Sequence, residues 1–401
     1  MKNESLVPKI RFKGFSDPWE QRKLPEIAER LSKSSNNKNL PRIEYADIVS
    51  GMGRLKKNVS MQKSSDDRAG IRFSSHNILY GKLRPYLNNW LFPNFSGVAI
   101  GDFWVFQARK NISASFLFTL IQSPKYQQIS NVSTGTKMPR SDWKKVSSID
   151  FEVPNSFSEQ EEMGNYFLLL DNLIAANEDK LNQLKELKKL MMQKIFSQEW
   201  RFKGFTDPWE QRKLGEVTSQ VKSYPITREK ECTESNLEYV HYGDIHKLNN
   251  TIIDEETPLP TVEDNGKYSL LNEGDLVLAD ASEDYVEIAK PLVLYKINDR
   301  RIIAGLHTIA LRPKRLESLF LYNVLQNQSF RKYGYRVGTG LKVFGISAKN
   351  VFEYTFLAPS QNEQREIDQI LKSVTDLIAA NEEKLMQLKE LKKYLMQNMF
   401  V

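Results

Sequence analysis

Basic, aromatic and amide side chains alternate in one turn-forming stretch of the N-terminal half. Residues 80–90 read Tyr-Gly-Lys-Leu-Arg-Pro-Tyr-Leu-Asn-Asn-Trp, in which Gly81 and Pro85 shape the turn. Arginine suits the O6 and N7 acceptors of guanine, asparagine suits adenine, and lysine suits a phosphate group. The stretch is therefore predicted to contact nucleic acid. Its candidate contact residues are Lys82, Arg84, Tyr86 and Asn88.

A second stretch, residues 133–140, has the composition of an anion-binding loop. Small hydroxyl side chains and Gly135 let backbone N–H groups approach a phosphate, and basic residues stand beside them. Residues 336–342 repeat this composition in the C-terminal half. The candidates are Thr136, Lys137 and Arg140 in the first half and Arg336, Thr339 and Lys342 in the second.

The C-terminal half also contains an acidic loop over residues 280–285. A carboxylate there can accept a hydrogen bond from the N4 amino group of cytosine. The candidates are Asp280 and Ser282 in this loop, together with Tyr242. Each loop taken alone is explained equally well as a solvated surface turn, but the recurrence of such loops at matched places in both halves favours DNA binding.

Motifs of known catalytic chemistry are missing from the sequence. There is no Gly-x-x-x-x-Gly-Lys-[Ser/Thr] loop for nucleoside triphosphates and no Asn-Pro-Pro-aromatic segment of amino-methyltransferases. The histidines His76, His241, His246 and His307 are scattered, and Cys232 is the single cysteine. We therefore predict a non-catalytic chain without a metal site or a disulfide.

Two repeated segments organise the chain around these loops. Residues 11–24, which include Asp-Pro-Trp-Glu-Gln-Arg-Lys-Leu, return almost unchanged as residues 201–214. A helix-forming segment at residues 173–189 returns at residues 377–393. The sequence therefore consists of two full units, each with a constant entrance, a variable centre and a constant helix.

The helix repeats are rich in Leu, Ala, Lys and Glu and lack Gly and Pro, which favours long helices. Their apolar residues follow a heptad seam that Asn177 and Asn381 interrupt at the same position. We predict that the two helices pair in an antiparallel coiled coil. The alternative is two amphipathic helices buried in separate cores. Leu187 and Leu391 widen the apolar face and are predicted to dock a partner subunit.

The variable centres contain short apolar runs separated by Gly turns, which predicts a mixed α/β fold with irregular sheet. Predicted strands include residues 44–49, 77–80, 97–100, 237–240, 275–279 and 291–295, and a helix is predicted over 316–326. No apolar run approaches ~20 residues, so no membrane span is predicted, and the N-terminus lacks a signal region. Residence in the cytoplasm is the resulting expectation. The net charge of +7 permits a polyanionic partner without requiring one.

The chain resembles the specificity (S) subunit of type I restriction-modification systems. The resemblance covers essentially the whole sequence and depends on the duplicated entrances, on residues 78–87 and 274–282, and on the Pro…Glu-Gln step into each helix. It implies a first target recognition domain at 1–156, a central spacer helix at 157–198, a second target recognition domain at 199–361 and a C-terminal spacer helix at 362–401. It also implies irregular β-sheet domains separated by an antiparallel coiled coil, with pseudo-two-fold symmetry.

The resemblance further implies what such a chain binds. Each domain would read one half of a bipartite double-stranded DNA target, and the coiled coil would hold two modification subunits. Those subunits would bring S-adenosylmethionine for adenine methylation, and restriction subunits would bring ATP and Mg²⁺ for translocation and cleavage. Two alternatives remain. One is a coiled-coil scaffold for protein partners without DNA contact, and the other is a subunit of a related single-effector restriction enzyme.

Overall fold

The computed structural model describes residues 7–56, 68–132, 138–248, 250–283, 287–340 and 343–400. The chain forms two compact units. The first comprises Met1–Lys180 with Glu382–Val401, and the second comprises Leu181–Asn381. Each unit therefore takes part of both long helices. No helix in the described ranges is both long and apolar enough to cross a membrane.

The first unit is built from short strands in small sheets. Its strands are β1 (Glu20–Lys23), β2 (Ala28–Leu31), β3 (Ser34–Ser35), β4 (Arg42–Ile43), β5 (Ile48–Val49), β6 (Arg54–Leu55), β7 (Gly70–Phe73), β8 (Ile78–Gly81), β9 (Trp90–Leu91), β10 (Gly97–Ala99), β11 (Phe103–Ala108) and β12 (Asp150–Val153). Its helices are α1 (Leu24–Ile27), α2 (Ala114–Leu120), α3 (Pro124–Ser130), α4 (Trp143–Ser148) and α5 (Phe157–Phe196), of which α5 continues into the second unit.

Two four-stranded sheets position the candidate loops of this unit, in the orders β3-β7-β10-β4 and β2-β11-β8-β9. Strand β8 is buried at all four positions and pairs antiparallel with β11, with Gly81 opposite Phe103. Because both faces of β8 are covered, its sequence is continuously apolar rather than alternating. The residues that follow β8 and precede β11 consequently lie side by side at one end of the sheet.

The second unit repeats this plan. Its strands are β13 (Glu210–Lys213), β14 (Thr218–Val221), β15 (Leu237–Val240), β16 (Ile252–Ile253), β17 (Thr261–Val262), β18 (Leu276–Ala279), β19 (Ala281–Ser282), β20 (Pro291–Leu294), β21 (Arg301–Ala304), β22 (Thr308–Pro313), β23 (Phe344–Gly345) and β24 (Thr355–Ala358). Its helices are α6 (Leu214–Val217), α7 (Tyr242–Lys247), α8 (Ser318–Gln326), α9 (Gln328–Val337), α10 (Ala348–Phe352) and α11 (Gln361–Asn398), of which α11 continues into the first unit.

The main sheets of the second unit have the orders β14-β22-β18-β20-β16 and β17-β15-β21. Strand β18 pairs antiparallel with β22, with Ala279 opposite Thr308, as β8 pairs with β11 in the first unit. The entrance strand pairs with the last strand of the unit in both cases, as β1 with β12 and β13 with β24. The common frame predicted from the repeats is thus present in each unit.

Ion pairs give the direction in which the long helices pair. Within the first unit, Lys392 Nζ lies 2.5 Å from Asp171 Oδ1, and Lys389 Nζ lies 2.7 Å from Glu178 Oε1. The residue number rises on α5 as it falls on α11, so the segments are antiparallel. Within the second unit, burial lowers the pKa of Lys188, and the nearby charge of Asp376 opposes that shift. The predicted antiparallel pairing is confirmed inside the first unit, and the same two helices lie together at Lys188 and Asp376 inside the second.

The C-terminal end of each long helix enters a β-domain core. In the first unit, Phe400 lies edge-on to Trp19 of the entrance repeat, with ring centroids 6.4 Å apart. In the second unit, Phe196 meets Trp209 in the same way at 6.3 Å. The separate-core alternative is therefore correct for the helix ends, whereas the middle segments pair with each other. Each entrance tryptophan packs against the end of a long helix, which accounts for the duplication of the entrance.

One predicted strand is wrong. Residues 44–49 form a 3₁₀ turn at Tyr45–Asp47 followed by the short β5. The side chain of Asp47 accepts a hydrogen bond from the backbone N–H of Glu44 at 2.8 Å, which closes the turn. Local side-chain bonding of this kind competes with strand pairing. The other predicted strands and the helix near 316–326 are confirmed, with limits that shift by one or two residues.

Candidate nucleic-acid interface

The turn after β8 presents an exposed aromatic tip. Gly81 lets the chain double back, since a Cβ atom there would lie 2.9 Å from the carbonyl oxygen of Asn89. Arg84 and Asn88 then bracket a 3₁₀ turn, and both have left-handed backbone conformations, with φ of 49° and 53°. Such conformations cost energy in residues other than glycine and persist only where neighbours hold them. The result is a fixed turn in which Tyr86 is 57% exposed.

Lys82 and Arg140 converge on one carboxylate beside this turn. Lys82 Nζ lies 3.4 Å from Asp102 Oδ1, and Arg140 Nη2 donates to Asp102 Oδ2 at 3.0 Å. Partial burial opposes the charge of Asp102, but the hydrogen bond from Arg140 and the charge of Lys82 outweigh it and lower the pKa of that carboxyl group. The cluster carries a net positive charge because two cations share one anion. It can therefore hold guanine acceptors or phosphates.

Tyr45 fixes the two turns that carry this cluster. Its hydroxyl donates to the backbone carbonyl of Asp102 and accepts from the backbone N–H of Leu83 at 3.3 Å. Burial raises the pKa of the Tyr45 hydroxyl, so it stays a neutral donor at physiological pH. Arg84 is held through its backbone, whose N–H donates to Pro139 and whose carbonyl accepts from Leu87, and its side chain is exposed. The predicted residues Thr136, Lys137 and Lys342 lie outside the described residues.

The second unit places different side chains on the same frame. The backbone N–H of Asp280 donates to the carbonyl of His307 at 3.1 Å, and Ile346 donates to the carbonyl of Asp280 at 2.9 Å. In the first unit, Lys82 donates to Asp102 at 2.9 Å, and Ser141 donates to Lys82 at 2.8 Å. The two bonding patterns match bond for bond. Asp280 therefore corresponds to Lys82, and His307 corresponds to Asp102.

The chemistry at these matched positions is reversed. Asp280 Oδ1 lies 3.1 Å from His307 Nδ1, and burial raises the pKa of the Asp280 carboxyl group. The ring of Tyr242 packs edge-on against His307 with centroids 5.4 Å apart. Gly345 is paired with Ala281 where Arg140 is paired with Leu83, so the second cation of the first unit has no counterpart at this position.

Three further candidates of the second unit are placed less favourably. Ser282 is only 4% exposed and pairs with Phe344 between β19 and β23, which argues against its predicted contact with DNA. The pairing of β19, which the sequence did not predict, is the reason. Thr339 forms a two-way backbone bridge with Gly345, and the Arg336 guanidinium lies 5.5 Å from the ring centroid of Tyr333.

Sequence reasoning missed Tyr45, Asp102 and His307. A signal for the tyrosine exists, because Tyr-Ala-Asp-Ile at residues 45–48 returns as Tyr-Gly-Asp-Ile at residues 242–245. In both places the aspartate accepts from a backbone N–H at the start of the turn, Asp47 from Glu44 and Asp244 from His241. The tyrosine of each copy consequently faces the turn before β11 or β22.

The predicted docking residues are exposed on the long helices. Leu187 is 42% exposed in the second unit, and Leu391 is 40% exposed in the first. Each has exposed apolar neighbours on helix segments of its own unit. These are Leu190 and Leu377 in the unit of Leu187, and Leu173 and Tyr394 in the unit of Leu391.

The sequence matches a known protein family in both of its repeats. The profile described as the type I restriction modification DNA specificity domain matches residues 16–186 and again residues 206–390. Among curated proteins, none matches the chain significantly.

Solved structures share the fold over nearly the full length. The crystal structure of a type I restriction-modification system S subunit from M. genitalium is similar with a TM-score of 0.67 at 12% identity, and the match covers 98% of this chain and 99% of that chain. A chain from a structural study of complex assembly and conformational transition in the type I R-M system matches with a TM-score of 0.50 at 20% identity, over 95% of this chain and 97% of that chain. The two domain matches, which together span most of the sequence, show that the chain belongs to the type I restriction-modification DNA specificity family.

Proposed function

We propose that this chain is the non-catalytic DNA-recognition subunit of a type I restriction-modification complex, and that each unit reads one half of a bipartite duplex target. One observation carries the proposal. The two units hold the same backbone hydrogen bonds at the ends of β8 and β18, yet Lys82 stands where the other unit has Asp280. A constant frame with opposite charges at its tip suits two readers of different base sequences.

The long helices suit a spacer between the two reading units. Helix α5 has 40 residues and α11 has 38. At about 1.5 Å per residue, α5 is roughly 60 Å long and α11 roughly 57 Å long. One turn of DNA is about 34 Å long. Helices of this length leave unread base pairs between two half-sites, and their length would be part of the specificity.

The exposed leucines support docking of two modification subunits, one per unit. Leu187 and Leu391 occupy the same position of the helix repeat and are exposed to nearly the same extent. A repeated surface in one chain suits two copies of one partner. The modification subunits would supply S-adenosylmethionine, and restriction subunits would supply ATP and Mg²⁺. We propose the cytoplasm, where these subunits and the DNA meet, as the location.

The decisive experiment exchanges residues 215–356 for the equivalent region of a relative and maps methylated adenines in cells. One half-site is expected to change while the other stays the same, because the variable centre of one unit carries the contacts of that unit only. Change in both half-sites, or in neither, contradicts the modular proposal. Duplex binding that does not weaken with salt would instead favour the protein-scaffold alternative.

Docking is tested by Leu187→Glu and Leu391→Glu in the full chain. A buried charge in a subunit interface is costly, so each variant should lose about half of the modification subunit that co-purifies, and the double variant nearly all. Gln183→Glu and Gln387→Glu are matched controls, because both are exposed positions of the same helices. Full assembly of the double leucine variant would place the docking surface elsewhere. The identity of the co-purifying subunits separates the type I complex from the single-effector alternative.

A further inference from the structure

The pairs Lys82–Asp102 and Asp280–His307 occupy the same place in their units. Each pair joins the residue directly after one central strand to the residue directly before the strand beside it, and a backbone hydrogen bond connects the same two residues. The side chains are half-exposed in both pairs. Their chemistry differs, because the first unit has a cation after the first strand and adds Arg140, whereas the second unit has an anion there.

Asp102 is unsuited to touch DNA by itself, since a carboxylate is repelled by phosphates. Its two oxygens instead hold two different cations, Lys82 on Oδ1 and Arg140 on Oδ2. Arg140 also approaches Oδ2 through Nε at 3.3 Å, which fixes the plane of the guanidinium group. A guanidinium in a fixed plane is suited to the paired O6 and N7 acceptors of guanine. The structure thus gives Asp102 a positioning role.

Asp280, in contrast to Asp102, is suited to contact a base directly. Among the described residues its one ion-pair neighbour is the His307 ring, and no lysine or arginine lies within ion-pair distance; its side chain is also more exposed than that of a core carboxylate. A carboxylate at the tip of a reading unit favours a hydrogen-bond donor, and in the major groove the N4 amino group of cytosine is such a donor. His307 Nδ1, at 3.1 Å, keeps one carboxylate oxygen in place and leaves the other oxygen to accept.

We infer that this pair position selects a base in each half-site: Lys82 and Arg140, oriented by Asp102, read a guanine, and Asp280, oriented by His307, reads the N4 amino group of a cytosine. The inference rests on the proposed function and adds the residues and the base chemistry to it. Asp102 and His307 are positioning residues, because each acts through the side chain that it holds.

The test exchanges the pairs between the units. One variant carries Lys82→Asp, Asp102→His and Arg140→Gly, and the reciprocal variant carries Asp280→Lys and His307→Asp. The full chain, purified with the subunits that accompany it, selects sites from a pool of randomised duplexes, which are then sequenced. Each variant should change the base preference by about 10-fold or more at one position of one half-site. The untouched half-site in the same molecule is the folding control.

Single substitutions test the positioning roles. Asp102→Asn should lower the preference for one base roughly 10-fold, and Asp102→Glu should restore part of it, because only the latter keeps a charge for the two cations. His307→Gln should act likewise on the other half-site. Glu20→Gln, which removes the exposed ion pair with Arg22 in β1, is the matched control and should change no base preference.

The outcomes separate the inference from the function on which it rests. If the wild-type chain selects no bipartite sequence, the proposed function fails and the inference fails with it. If the wild type selects one and the exchanged pairs leave every base unchanged, only the inference is overturned. If an exchanged unit loses its whole half-site through misfolding, the exposed single variant Lys82→Gln decides, and an unchanged base preference in it overturns the inference.

Discussion

In the first unit the indole N–H of Trp19 donates to Glu159 at 3.2 Å, whereas the indole N–H of Trp209 in the second unit has no partner among the described residues. Both units keep the arginine that pairs with this glutamate. Arg11 Nε lies 2.6 Å from Glu159, and Arg201 Nε lies 2.9 Å from Glu363. The arginine–glutamate pair is therefore the part of the entrance that both units share. The tryptophan serves mainly by packing under the helix end.

The two long helices also differ at Gly164 and Asp368, which lie one turn after a glutamine that both units share. Gln160 accepts from the backbone N–H of Ser113 before α2, and Gln364 accepts from that of Glu317 before α8. One turn later the first unit has Gly164, where a Cβ atom would lie 2.4 Å from the backbone nitrogen of Phe116. The second unit has Asp368, whose carboxyl group accepts from the backbone N–H of Phe320. Helix α5 therefore leaves no room for a side chain against α2 at this position, whereas α11 places a carboxyl group against α8.

The largest expected effect comes from breaking the entrance pair. Glu159→Ala should reduce the free energy of unfolding of the first unit by about 3–5 kcal/mol, because it leaves the mostly buried Arg11 cation without its partner. Glu363→Ala should destabilise the second unit less, since no indole hydrogen bond is lost there. Hydrogen exchange read by mass spectrometry measures each unit separately.

The matched controls for this pair are Glu162→Ala and Glu366→Ala. Both residues are exposed and lie three residues further along the same helices. Neither control should alter exchange in its unit by more than a few tenths of a kcal/mol. Equal losses from Glu159→Ala and Glu162→Ala would show that the buried pair is not what holds the entrance.

Gly164→Ala comes next in size. The added methyl group would lie 2.4 Å from Phe116 N and 2.4 Å from Ser115 Oγ, so α2 must move away from α5. We expect a loss of about 1–3 kcal/mol in the first unit, although alanine is the better helix former. Asn165→Ala, at the exposed neighbouring position, should be neutral or slightly stabilising. Unchanged exchange in α2 of the Gly164→Ala variant would contradict the close packing.

The sequence predicts the long helices well, because their pattern is local and is written twice. It also identifies Lys82 and Asp280 as contact candidates, and the structure places them at matched positions in the two units. It does not predict that Asp280 meets His307, because that contact depends on the register in which β18 pairs with β22. The burial of Ser282 has the same origin in the pairing of β19 with β23. Pairings between distant strands depend on tertiary packing, which short-range patterns do not encode.

The last expected effect is a pH dependence confined to the second unit, which appears only when the pH is changed. Burial raises the pKa of Asp368 to about 8, a shift that the hydrogen bond from Phe320 only partly opposes, and Asp368 is 8% exposed. The folded state then binds this proton more tightly than the unfolded chain, whose carboxyl pKa is about 4. Stability should therefore fall as the pH rises from about 4 to about 8, and the full cost is present above that range.

Asp368→Asn should remove this slope and stabilise the second unit by about 1–3 kcal/mol at pH 9, because a buried charge is replaced by a neutral amide. Glu366→Gln, an exposed acid on the same helix, is the control and should leave the slope in place. Hydrogen exchange measured at pH 6 and pH 9 tests this, with a correction for the intrinsic rate. The first unit, which has Gly164 at this position, should not show the difference; a slope that survives in Asp368→Asn would assign the pH dependence to another group.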